Sequence, residues 1–511
     1  YLTLAMHAHA LKHYDSAPKL DNNSVETSGR IAFCLYQDRR YGTALDQALE
    51  CAAIEDRNIQ SGTLQGAALG KSKWRLYKDC FLIAQCAYRM DKVDIAHKYF
   101  RKAIENAEGA ALEDDEFLQP ETGYFEVLAS EGLHGEMMEL AEEMSRHFTK
   151  TKHGQNRFVD LLLERYFSLL VMDWLPRAAA KTGKVEFLLS ALELAIEVAD
   201  IRLRETLVVL HLRLAHGTTF EYSRDIDNAI AVLEQIALQE YRPRGSITTR
   251  QAYAVAFQKL ATLYKQKIID VGWASEAGRS WVSKMEVVQR KQDRHHNFNM
   301  PADMLGSDVN VASIYLACFY RLLGRESEAT GLLKALIQDS LDILSDSEPG
   351  NDVYALDNLL RVFIAAGEVS NAIALARSMR KVNPEASFST IGESPEERRG
   401  APKLPDIQSY DRTCFQCFNN VASGEEFAMC RFCMESYCTR CLEKVIKAAG
   451  NTTGETGVAG AAKVVCRSDH DWFTVPPLNR LLHTGEIMLE DGRVHGFEEW
   501  KDEVRKAWGL T

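Results

Sequence analysis

From the first residue to about 385, apolar residues recur with a helical period and strand-type alternation is nearly absent. Gly and Pro are sparse there and fall between the helical stretches. A chain of 511 residues dominated by one such pattern is too long for one compact core, so it predicts several domains or one elongated array. Two stretches repeat a common frame. One is Leu316-Ala317-x2-Tyr320-x3-Gly324-x4-Ala329-x3-Leu333; the other is Leu359-Leu360-x2-Phe363-x3-Gly367-x4-Ala372-x3-Ala376, followed by Pro384. The frame has a physical reading. Alanine lets two helices approach closely, and the aromatic ring fills the gap beside it. Glycine accepts the positive φ of a tight turn, and proline stops the second helix. Ile83-Ala84 through Ala96, Phe100 and Ala103 fits the same frame. Ile31-Ala32 through Tyr41, Ala44 and Ala48 fits more loosely, as does the surrounding of Ala229. The stretch from Gly272-Trp273 to Ser280-Trp281 reads as extended helix.

This frame resembles the tetratricopeptide repeat. The resemblance implies a mainly α protein, with residues 1–385 forming a TPR-like α-α superhelical solenoid whose concave surface binds a protein or peptide. A plain helical bundle is the alternative.

The pattern breaks at 386–412, a polar stretch with Pro and Gly and no periodic apolar face, which reads as a linker. The next segment, 413–475, carries the strongest chemical signal. Cys414-x2-Cys417, Cys430-x2-Cys433, Cys438-x2-Cys441 and Cys466-x3-His470 supply eight candidate ligands. Pairs two residues apart can place both donors on one tetrahedral zinc, so eight donors fit two structural Zn2+ ions. In a cross-brace, Cys414, Cys417, Cys438 and Cys441 hold one zinc, and Cys430, Cys433, Cys466 and His470 the other. In sequential pairing, Cys414 to Cys433 share one metal. His483 and His495 are reserve ligands. Residues 476–511 are expected to form a hairpin around Glu490-Asp491-Gly492-Arg493 and an amphipathic helix, packed on a neighbouring domain.

The first six cysteines resemble small treble-clef and cross-brace fingers of the MYND, B-box and ZZ types. Tyr437 before Cys438 is similar to MYND and B-box fingers, and Gly424-x2-Phe427-x2-Cys430-x2-Cys433 to ZZ fingers. MYND fingers close with histidine before cysteine, whereas Cys466 precedes His470, and the gap from Cys441 to Cys466 is long. The resemblance therefore implies zinc ligation and protein recognition, with no peptide pocket carried over. RING fingers have a histidine among their middle ligands, and none lies between Cys417 and Cys466. Basic and acidic residues nearly balance across the segment, which argues against a DNA-reading face.

Other motifs take bland readings. Gly70-Lys71-Ser72 lacks the first glycine and the preceding strand of a phosphate-binding loop, and is read as an inter-helix loop. His7, His9 and His13 lack further donors. His295-His296 are assigned to an inter-repeat loop within 289–299. Arg398-Arg399 is too short a basic run to address the chain. No nucleophile triad or acid/base pair can be assigned, so the chain is expected not to be an enzyme. Cys34, Cys51, Cys80, Cys86 and Cys318 stand at apolar helical positions, as buried thiols do. With metal-type pairs elsewhere, this usage fits a reducing, intracellular and cytoplasmic setting. A net charge of −12 argues against nucleic acid and anionic membrane. No apolar run reaches the roughly 18 residues of a membrane span; the nearest, 166–174, is interrupted by Asp173.

Helical repeats followed by this finger, with Cys466-x3-His470-x-Trp472 and Pro476-Pro477, resemble the C-terminal half of large filamentous-fungal repeat proteins. Some of those carry an N-terminal NTPase of the STAND type, similar to NOD-like receptors. The first residue is Tyr1 rather than Met, and the chain is expected to be a fragment lacking such an NTPase or effector. The resulting expectation is a non-enzymatic interaction scaffold or sensor. The alternative is an adaptor that recruits a modification enzyme, ubiquitin-ligase-like, through the finger.

Overall fold

The computed structural model describes residues 25–107, 119–146, 155–203, 206–239, 247–296, 311–346, 352–378, 425–431, 434, 436–450, 471–477, 482 and 485–510. Over these the protein is mainly helical. Its residues fall into two compact units, Tyr1–Ala229 and Ile230–Thr511.

The first unit holds α1 (Val25–Gln37), α2 (Tyr41–Gln60), α3 (Gly66–Arg89), α4 (Val93–Ala107), α5 (Gln119–Ser130) and α6 (His134–Arg146). It continues with α7 (Arg157–Glu164), α8 (Leu175–Thr182), α9 (Val185–Glu197), α10 (Thr206–Tyr222) and the start of α11 (Ile226–Glu234). From α1 to α7 each helix packs on the one before it. One continuous core runs from Ala32 to Ala215. A buried ion pair between Arg157 and Glu121 ties the start of α7 to α5, with side chains 4% and 0% exposed.

One turn recurs. A residue in the left-handed region ends a helix, and the N–H that follows donates back to a carbonyl five residues earlier. Arg40 bonds to Leu35 O, Lys92 to Ala87 O, Leu133 to Leu128 O, Lys184 to Ala179 O and Asp225 to Phe220 O. In the second unit Arg325 bonds to Tyr320 O and Glu368 to Phe363 O. These are Schellman-type closures, which satisfy the orphan carbonyls of a helix end. The residue that closes each turn then caps the next helix by accepting the N–H of Ala44, Ala96, Met137, Leu188, Ala229, Ala329 or Ala372 in turn. The left-handed residues are Arg39, Asp91, Gly132, Gly183, Arg224, Gly324 and Gly367. The turn glycines of the two closest sequence frames thus stand where positive φ is required, and Ala329 and Ala372 are fully buried behind them. Asp91 and Gly132 lie 41 positions apart and Arg39 and Asp91 lie 52 apart, against about 34 residues in a tetratricopeptide repeat.

The second unit holds α12 (Ile247–Val271), α13 (Glu276–His296), α14 (Val311–Leu322), α15 (Glu326–Ile343), α16 (Asp352–Ala366) and α17 (Val369–Ser378). The strands β1 (Phe427–Cys430) and β2 (Ser436–Cys438) follow, then α18 (Thr439–Gly450) and β3 (Trp472–Val475). The chain ends with β4 (Glu486–Met488), β5 (Val494–Gly496) and α19 (Phe497–Trp508). The sheet order is β2-β1-β3, with a separate β4-β5 hairpin.

Several local expectations are corrected. Gly70-Lys71-Ser72 lies inside α3, not in a loop; Ser72 is 3% exposed and donates to Glu55. His295 and His296 end α13 rather than sitting in a loop. Gln289 and Gln292 are buried there, so the polar stretch has an inward face that a count of polar residues hides. Gly272 breaks the supposed extended helix at φ +81. A Cβ on Gly278 would lie 2.1 Å from Gly272 O, so the turn and the first coil of α13 touch backbone to backbone.

Cys34, Cys51, Cys80 and Cys86 are buried and Cys318 is half-buried. Burial, with the carboxylates of Asp79, Glu50 and Glu55 adding to it, pushes the Cys51 thiol up to about 12. Burial alone does the same for Cys86. These are inert core thiols. Among the described residues no helix is long and apolar enough to cross a membrane.

Candidate metal centre

Three of the eight candidate ligands, Cys430, Cys438 and Cys441, are among the described residues. Cys414, Cys417, Cys433, Cys466, His470 and the reserve His483 lie outside them, as do His7, His9, His13 and the linker 386–412. β1 and β2 form an antiparallel hairpin with Phe427 opposite Cys438 and Met429 opposite Ser436. Phe427 and Met429 share one face of the hairpin with Cys438 and Ser436, Ala428 and Tyr437 share the other, and Phe427, Met429 and Tyr437 are at most 1% exposed. α18 starts immediately after Cys438, so Cys441 falls in its first turn. Cys438 and Cys441 thus straddle the junction between a strand end and the first turn of the following helix.

Cys430 ends β1. Met434 N–H donates to Cys430 O at 3.0 Å, and Met434 has φ +64. β3 pairs with the other edge of β1, with Cys430 opposite Trp472 and Phe427 opposite Val475. Arg431 N–H donates to Asp471 O at 2.9 Å. Tyr437 and Trp472 meet edge to face across the sheet, ring centres 5.2 Å apart.

The register separates the cysteines. Cys438 stands opposite Phe427, three residues from Cys430, which is about 10 Å along a strand and on the other face of the pleat. Thiolates sharing one zinc each lie about 2.3 Å from it. Cys430 and Cys438 therefore cannot ligate one ion. Asp471 and Trp472, which follow His470 in the chain, lie at the Cys430 end of the sheet.

The strands and α19 are seated on the last helices. β3 and β4 pack against α17, and α19 against α15. Arg377, 3% exposed, donates Nη1 to Leu489 O at 2.8 Å and Nη2 to Pro477 O at 3.2 Å. Trp500 is 1% exposed; its Nε1 donates to Asn371 Oδ1 at 3.0 Å and its ring meets Phe363 edge-on. Lys501 Nζ, equally buried, donates to Leu344 O and Ser345 Oγ at the C-terminal end of α15. A cation placed there answers both the orphan carbonyl and the helix dipole.

His495 on β5, Glu499 and Glu503 bring one ligand atom each within 4.8 Å of one another, and no described cysteine joins them. The glutamates are exposed, and His495 Nδ1 stands 3.9 Å from Glu503 Oε1. His495 thus faces carboxylates rather than the described thiols of residues 430–441.

No protein-family model matches the chain, and no curated protein matches it.

Proposed function

We propose that the protein is a non-enzymatic interaction scaffold. Its helices carry the recognition surface, and its C-terminal segment is a zinc-braced end piece. The observation that carries this reading is the seat of that segment. Arg377, Trp500 and Lys501, each at most 3% exposed, bond it to the ends and faces of α15, α16 and α17. Groups buried to join two parts are spent on structure and offer nothing to a substrate.

The donors fit zinc. Cys430 at the end of β1 and Cys441 in the first turn of α18 are both buried in a unit of three short strands and one helix. Metal ligation supplies folding energy in such small units. The register is compatible with both pairings, since each puts Cys430 and Cys438 on different metals; the cross-brace joins Cys438 and Cys441 with Cys414 and Cys417, and Cys430 and Cys433 with Cys466 and His470. Consecutive Cα atoms lie about 3.8 Å apart, so the bond from His470 to Asp471 favours the metal held by Cys430. Two closed four-ligand sites would leave no open coordination position for catalysis.

Panning a peptide library against the intact, zinc-loaded chain tests the function. The expected result is a consensus peptide whose binding survives Cys438→Ser and is lost on surface substitutions in the helices. Binding lost only in cysteine variants, with the helical faces silent, overturns the reading in favour of an adaptor that recruits through the finger. Elemental analysis of the same preparation should give two zincs per chain.

A further inference from the structure

In the first unit, the C-terminal turn of α5 and the helices α6 and α8 enclose a cavity of about 300 Å³. Ser130, Glu131, His134, Trp174, Arg177 and Lys181 line it. Three of these six are basic, and their partners leave charge and donors over. Lys181 Nζ lies 2.8 Å from His134 Nε2. An ammonium can only donate, so Nε2 accepts and the imidazole proton sits on Nδ1. That Nδ1 is buried without a hydrogen-bond partner. Arg177 spends Nη2 on Asp173, at 2.9 Å, and on the Tyr222 hydroxyl at 3.2 Å, while its Nε is buried without a partner. Asp173 balances Arg177. Among the described residues no carboxylate pairs with Lys181, although Glu131 lines the same cavity.

The site sets two cations, Lys181 and Arg177, beside His134, with Asp173 on Arg177 and Glu131 in the lining. Burial, then the charges of Lys181 and Arg177, hold the pKa of His134 below the ordinary histidine value. Lys181 is lowered as well, by burial and then by Arg177. Like charges held this close are costly unless something answers them. An oxyanion does so: it accepts several charge-assisted hydrogen bonds at once. A carboxylate would match one excess cation. An ammonium and a guanidinium on one cavity suit the several oxygens of a phosphoryl group better than the two of a carboxylate.

We propose that this cavity binds a phosphate monoester, with Lys181 and Arg177 on the phosphoryl oxygens and the organic part against Trp174. No bond forms or breaks; the site is for recognition. It stands whether or not the helices also bind a peptide. The ester is either a small phosphorylated molecule or a phosphorylated side chain of a partner.

Titration of the intact chain with inorganic phosphate, O-phosphoserine and a phosphoserine peptide tests the site. Trp174 emission and the thermal midpoint are the readouts, with acetate and chloride at equal ionic strength as controls. Phosphate and phosphoserine should each give a saturable emission change that Trp174→Phe removes. Each should also raise the midpoint, because a ligand that binds only the folded state stabilises it. Lys181→Ala should weaken binding at least tenfold and Lys181→Arg should retain most of it. The rise in midpoint is read for each variant against its own unliganded midpoint, and Lys181→Arg, which keeps the charge, separates loss of binding from loss of structure. Tighter binding of the phosphopeptide than of phosphoserine assigns the ester to a partner's side chain, and equal binding to a small molecule. The proposal is overturned if no saturable change occurs, if Lys181→Ala binds as the parent does, or if acetate or chloride matches phosphate.

Discussion

At Asp79, on the inner face of α3, the side chain is 6% exposed and stands near Glu55, itself 1% exposed. Glu55 has partners of its own: Ser72 donates to one oxygen and Arg75 to the other at 3.3 Å. Burial first, then the charge of Glu55, push the Asp79 carboxyl up to about 8, with Arg75 opposing. The folded chain thus holds a proton on Asp79 that the unfolded chain releases near pH 4. Stability falls wherever the folded state binds more protons. The contribution from Asp79 is complete below about pH 4 and is lost as the pH rises to about 8. Asp79→Asn keeps the shape and removes the titration. The advantage of the variant over the parent is expected to grow by about 1–3 kcal/mol between pH 5 and pH 8. Urea denaturation at the two pH values measures this, and an equal effect at both would contradict it. None of this was legible in the sequence. Asp79 reads there as one carboxylate among many on amphipathic helices, and only the approach of α2 to α3 brings Glu55 beside it.

Elements in this chain are joined by one repeated device, and the frame of aromatic, glycine and alanine made part of it readable. Tyr320, Gly324 and Ala329, and Phe363, Gly367 and Ala372, mark two of the turns because glycine advertises positive φ. The turns at Gly132 and Gly183 stayed hidden, since Met137 and Leu188 occupy the place where the frame looks for alanine. A larger residue there means the two helices stand further apart, which a motif built on close approach does not detect. Gly70-Lys71-Ser72 misled in the other direction: small and polar residues suggested a loop, and burial against Glu55 made them helix. In the cysteine-rich segment, the spacing pointed to metal chemistry, but it could not show that Cys430 and Cys438 face opposite ways. That follows from strand register, which spacing does not encode. The same turns carry a prediction. Arg39 has φ +62 and is exposed. A non-glycine residue there costs about 1–2 kcal/mol, and glycine gives back part of that gain through its unfolded-state entropy. Arg39→Gly should stabilise the chain by about 0.5–1 kcal/mol. Gly324→Arg should destabilise it by a similar amount. Thermal denaturation of both variants checks the pair, and the idea fails if the signs are not opposite.

For the molecule as a whole, the question is how a stack of helices ends. Stacked helix pairs bury a face against each neighbour, and the last pair has none, so arrays need a cap with a polar outer side. In the second unit the segment after α17 takes that place. β3 and β4 cover α17, α19 lies on α15, and Trp500 fills the space between Phe363, Phe497 and Asn371. The outer side of α19 carries Glu498, Glu499, Asp502 and Glu503, all exposed. Trp500 is therefore the residue on which the cap most depends. Trp500→Ala leaves a large cavity and strips Asn371 of its donor, and such truncations cost about 3–5 kcal/mol. Where that loss appears distinguishes a local cap from a global keystone. Hydrogen exchange should quicken in α15, α16 and α17, while α2, α3 and α4 of the first unit keep their protection. Equal loss of protection in the first unit would mean that the whole chain unfolds as one cooperative body, and that Trp500 supports more than the end of the array.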